Sequence, residues 1–157
     1  MPEPPASELL ATWRRLSRWP GGRWLFAVML GRRARYTGSI SPRVEELRPG
    51  YARVAMRDRP AVRNHLRSVH AIALMNLAEV TSGLAMMSGL PADGRAIITA
   101  LSIEYRKKAR GRLVAESTVE PPDTSERREV LLDAIVRDAA GDVVASATAT
   151  WLVGPKR

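Results

Sequence analysis

Hydrophobic positions recur every three or four residues at the start of this chain, alternate later, and crowd together in the middle. Leu9, Leu10, Trp13 and Leu16 share one side of a helix predicted over residues 8–19, with Ser7 placed to cap it. Pro20-Gly21-Gly22 breaks that helix. Trp24, Leu25, Val28 and Met29 then give an apolar side to a second helix over residues 23–33, with arginines on the other side. Residues 1–6 read as a frayed tail. From Tyr36 the pattern becomes strand-like, and residues 36–47 and 50–58 form a predicted hairpin around Arg48-Pro49-Gly50.

The middle of the chain is different. Ile72, Leu74, Met75, Leu77, Val80, Leu84, Met86 and Met87 cannot share a single helical stripe, which predicts a helix buried on nearly every side. Glu79 stands in its centre. A bare carboxylate is costly to bury, so Glu79 must be paired, hydrogen-bonded or kept for chemistry. Pro91-Ala92-Asp93-Gly94 is a turn, and four strands follow over residues 95–105, 111–119, 130–137 and 143–153. Ile97, Thr99, Leu101, Ile103 and Tyr105 alternate onto one face of the first. Leu113, Ala115, Ser117 and Val119 do so in the second, and the third reads as buried on both faces.

The order is helix, two strands, one long apolar helix, four strands. Crossover helices between successive strands are missing, so the class is α+β with a mainly antiparallel sheet curled around the long helix. Residues 1–34 form an N-terminal tail and helical segment, and residues 35–157 the main domain.

Composition narrows the function classes. The chain has 157 residues, 45% of them hydrophobic and 26% charged, which is enough for a globular core. It has no cysteine, which excludes disulfides, thiolate metal sites and a cysteine nucleophile. His65 and His70 do not make a metal site with Glu79, and no metal or separate cofactor is expected. No basic-then-apolar leader opens the sequence, so a cytoplasmic location is expected. The net charge of +9, almost all from arginine, favours anionic partners. One Phe and three Tyr offer little for base stacking, and no helix-turn-helix is visible, so nucleic acid is not expected. The first helices read as a lid packed on the body, while their Trp and Arg content also suits peripheral contact with an anionic membrane.

The order of elements, together with Asn64, His70 six residues later and Glu79 nine after that, resembles the hot-dog fold thioesterases. The likeness is to the branch of phenylacetyl-CoA thioesterases, and to a bacterial group with His-Ala in place of His-Gly. It covers residues 36–153. It implies a curled sheet of five to six strands around the central helix. It also implies a thioester hydrolase in which the Ala71 amide donates to the developing oxyanion. Glu79 would be general base or nucleophile, and Asn64 would orient water or the Glu79 side chain. His70 opens the helix, where its plain reading is a cap.

Met75 and Gly83 would line the acyl pocket, and Arg106, Lys107, Lys108 and Arg110 would hold the phosphates of coenzyme A, which enters as part of the substrate. Two positions depart from the branch. Ile72 replaces the second glycine of His-Gly-Gly, and Gly83 stands where relatives carry Ser or Thr.

Eight residues separate Ala71 from Glu79, about 12 Å along a helix. One thioester carbon cannot reach both within a chain, so the site combines two protomers, and the resemblance implies sheets joined edge to edge in a homodimer or a dimer of dimers. The expected function is an acyl-CoA thioesterase acting on a fatty or aryl acyl group. The other reading is a non-catalytic acyl-CoA or lipid binder on the same scaffold.

Overall fold

A computed structural model describes residues 7–156; the expected tail over residues 1–6 lies outside the described residues. Three helices come first, α1 (Glu8–Leu16), α2 (Gly22–Arg33) and the single-turn α3 (Arg35–Gly38). A hairpin of β1 (Arg43–Arg48) and β2 (Tyr51–Met56) leads into the central helix α4 (Ala71–Gly89). Four strands complete the chain: β3 (Gly94–Tyr105), β4 (Leu113–Thr118), β5 (Arg128–Arg137) and β6 (Val143–Pro155).

All six strands pair antiparallel in one sheet of order β1-β2-β4-β5-β6-β3. The insertion of α4 between β2 and β3 explains that order. The first hairpin takes one edge, and the chain leaving α4 returns at the other. Leu77, Leu84, Ala85 and Met86 of α4 pack in one core with Val54, Leu113, Val136 and Trp151 from the sheet. This is the hot-dog arrangement, a curled sheet around a buried helix.

The β1–β2 turn depends on Gly50, whose φ is +72°. A Cβ there would fall 2.1 Å from the Val119 carbonyl oxygen, so glycine is required both by conformation and by space. At the α1–α2 corner a Cβ on Gly22 would meet the Leu16 carbonyl oxygen at 1.7 Å. That close corner brings Trp13 and Phe26 edge to face at 5.1 Å. Both rings are buried with Leu10 in the main core, so the N-terminal helices pack on the body.

The structure corrects three local expectations. Residues 36–47 are not a continuous strand: the first of them turn through α3, and β1 begins only at Arg43. Tertiary contacts outweigh the local pattern here. Asn76 of α4 donates to the Tyr36 carbonyl at 3.0 Å, and Gly38 packs directly on the Gly31 backbone. In β3 the pairing with β6 slips between Ile98 and Ala100. This bulge moves Ile97 and Thr99 outward while Leu101 and Ile103 stay inward, so the five residues expected on one face divide between two. Finally, β5 is buried on one face only. Leu132, Ala134 and Val136 face the core, whereas Leu131 is 65% exposed.

Candidate functional site

The segment before α4 is held by its own hydrogen bonds. Asn64 Oδ1 accepts from the backbone amides of Leu66 and Ser68 and from the Ser68 hydroxyl, at 2.9–3.2 Å. The His70 amide donates to Val62 and the Val69 amide to Ala109, both at 2.8 Å. His70 then caps the helix: its Nδ1 accepts from the Ile72 amide at 3.0 Å. In that bond Nδ1 acts as the acceptor, standing in for the usual side-chain oxygen of a helix cap. Asn64 and His70 therefore both shape the entry to α4.

The first amide of the helix stays unpaired. Capping satisfies Ile72, but the Ala71 amide has no acceptor among the described residues. It lies at the positive end of a 19-residue helix, where an anionic oxygen is favoured. Ile72, the departure from His-Gly-Gly, is 47% exposed and projects from the first turn instead of entering the core. The Ala71 carbonyl accepts from the Tyr105 hydroxyl at 2.9 Å. This ties the end of edge strand β3 to the start of α4. Burial raises the Tyr105 pKa above the ordinary phenol value, so the hydroxyl keeps its proton.

Glu79 lies two turns further along. Met75, Glu79 and Gly83 are spaced by four, and all three are only partly buried while most of α4 is fully enclosed. They form the one stripe of mid-helix still open to solvent. Among the described residues Glu79 has no ion pair, and burial alone raises its carboxyl pKa above the ordinary 4.5. A carboxylate kept half-buried without a cation, in a chain rich in arginine, has the character of a proton acceptor.

Gly83 has a packing reason. A Cβ on it would stand 3.3 Å from Trp151 Cη2 of β6. The Trp151 indole N–H is buried and has no hydrogen-bond partner among the described residues. Sequence reasoning missed both Trp151 and Tyr105, because each acts through a strand far away along the chain.

The basic loop divides into two parts. Arg106 pairs with Glu104 at 2.8 Å, and Lys107 bridges Asp138 and Asp142 at 2.7 and 2.8 Å. Lys107 is thus a clasp on the β5–β6 hairpin. Lys108 and Arg110 have no carboxylate partner among the described residues, and Arg110 Nε reaches the Arg67 carbonyl at 3.4 Å. The pairing of Val69 with Ala109 sets this part of the loop beside the entry to α4. Among the described residues no group of His, Asp and Glu is arranged to hold a metal ion.

The sequence profile of DUF4442, described as a domain of unknown function, matches residues 22–153. The chain belongs to the DUF4442 family. A search of curated proteins gives no match. A protein solved by structural genomics is 30% identical to this DUF4442 chain, with a TM-score of 0.82, covering 94% of this chain and 98% of that one. A Pseudomonas aeruginosa protein of unknown function, described as a probable thioesterase, is 23% identical with a TM-score of 0.74 over 87% and 97% of the two chains. A thioesterase family protein from Silicibacter pomeroyi is 17% identical, with a TM-score of 0.70 over 82% and 96%. At 23% and 17% identity these two establish the shared hot-dog fold. The DUF4442 match begins at the start of α2, so it includes an N-terminal helix that lies outside the likeness over residues 36–153.

Proposed function

We propose that this DUF4442 chain is an acyl-CoA thioesterase, acting on a fatty or aryl acyl group like the phenylacetyl-CoA branch it resembles. Glu79 carries the reading: a half-buried carboxylate with no cation beside it, held above its ordinary pKa by burial. In the proposed reaction Glu79 takes a proton from water, and the resulting hydroxide attacks the thioester carbon. The carbonyl oxygen becomes an oxyanion and accepts from the Ala71 amide. Collapse breaks the C–S bond, and the thiolate leaving group takes up a proton.

The two groups are about 12 Å apart along α4, so Ala71 of one protomer works with Glu79 of a second. Two features support that assembly. Strand β3 is a sheet edge twelve residues long, with no pairing on its outer side among the described residues. Its end is tied through Tyr105 to the start of α4. Lys108 and Arg110 then offer charge for the coenzyme A phosphates, whereas Arg106 and Lys107 are already paired.

The second reading is a binder that retains acyl-CoA without hydrolysing it. It is favoured by Asn64, whose carbonyl oxygen is spent on its own loop. A free-thiol release assay separates the two: repeated turnover supports the enzyme, and stoichiometric retention without release supports the binder.

A further inference from the structure

Helix α2 is apolar on two sides, and the core uses only one. Phe26 is buried and Leu30 packs beside it. Trp24, Leu25 and Met29 face outward, 69%, 42% and 46% exposed, and Trp19 at the preceding corner is 71% exposed. Beside this outer face a groove of about 1180 Å³ runs between α2 and the β1 end of the sheet. Six arginines line it: Arg23, Arg32, Arg35, Arg43, Arg57 and Arg59. None of the six forms an ion pair among the described residues. The carboxylate in the groove lining, Glu45, is bound instead by Arg53 and Arg112. Arg59 is held in place by the Ser39 carbonyl and the Ser41 hydroxyl, both neutral.

Arg23 also lies over the Trp13 ring, 5.9 Å from its centroid, and the six positive charges gathered at one groove repel each other unless an anion enters. An exposed tryptophan and its aliphatic neighbours on the rim gain nothing from a soluble ion. Together they match one chemistry, in which phosphates lie in a plane just above hydrocarbon. We propose that this face docks on an anionic phospholipid surface, with headgroup phosphate in the arginine groove and Trp24, Leu25 and Met29 at the level of the acyl chains. The surface lies at the β1 edge of the sheet, opposite the β3 edge, so docking leaves the proposed dimer edge free.

The test is co-sedimentation of the full chain with vesicles of phosphatidylcholine alone, or with phosphatidylglycerol replacing part of it. Tryptophan fluorescence is followed in parallel. The expected result is retention on the anionic vesicles alone, weakened by salt, with a blue shift that Trp24→Ser diminishes. Each groove arginine removed should weaken binding about fivefold, so Arg43→Gln with Arg57→Gln lowers it about twenty-five-fold. Equal retention on neutral vesicles overturns the proposal. So does absence of retention by folded protein, or retention that inorganic phosphate displaces completely. A smaller particle for Trp24→Ser in light scattering also overturns it, because a second copy of the chain would then occupy this face.

Discussion

The Tyr105 hydroxyl donates to the carbonyl of Ala71 at 2.9 Å, joining the last residue of an edge strand to the first residue of the central helix. It bears on the same residue whose amide is left unpaired. The bond ties the end of β3 to the first turn of α4, which carries the proposed oxyanion donor. Tyr105→Phe should cost about 1 kcal/mol in urea unfolding, the ordinary net value of such a bond. Thiol release should slow less than tenfold, mainly in kcat.

Asn64 is a loop residue whose carbonyl oxygen carries the contacts. Asn64→Ala leaves two amides and a hydroxyl without their acceptor and should cost about 1–3 kcal/mol. Asn64→Asp keeps the acceptor and should remain close to the parent in both stability and turnover. Large loss of turnover in a stable Asn64→Asp protein would instead assign the amide nitrogen to the reaction.

Glu79 sets a pH dependence. Its pKa is raised in the folded state, so its contribution to stability is fully present below the ordinary value of 4.5 and is lost as pH rises through the folded value. Glu79→Gln does not titrate. The variant should therefore melt at a higher temperature than the parent near neutral pH, with the advantage shrinking as the pH falls towards 4.5. The parent's kcat/KM should rise with pH over the same window, as Glu79 becomes able to accept a proton.

Within the basic loop, structure separates residues that composition cannot. Lys108→Gln and Arg110→Gln should each raise KM for acyl-CoA by about threefold to tenfold, with kcat and melting temperature nearly unchanged. Lys107→Gln frees two aspartates at the β5–β6 hairpin. It should lower the melting temperature slightly and leave KM as it was.

The fold is largely legible in the sequence, because the chain's strongest signal is also its central element. A helix apolar all round, set between two groups of strands, leaves few arrangements other than a sheet curled about it. What stayed hidden was whatever depended on contacts across the sheet. The bulge at Thr99 follows from the registration of β3 on β6, so alternation alone placed Ile97 on the wrong face. The turn of α3 depends on Asn76, 40 residues from Tyr36. Gly83 stands where relatives carry Ser or Thr, and its packing against Trp151 is a contact across the sheet that the sequence alone does not display. The spacing of four places Met75, Glu79 and Gly83 on one helical stripe. The lack of a partner for Glu79 is a tertiary property and could only be seen in the folded chain.

The most direct test is free-thiol release from a panel of short, medium, long-chain and aryl acyl-CoAs, with the parent and Glu79→Gln measured side by side. The account predicts multiple turnovers by the parent on at least one substrate. It also predicts a loss of about 10²–10⁴-fold in the variant, the usual contribution of a positioned base. Unchanged turnover in folded Glu79→Gln, or no release from any thioester by folded, dimeric parent protein, would contradict it.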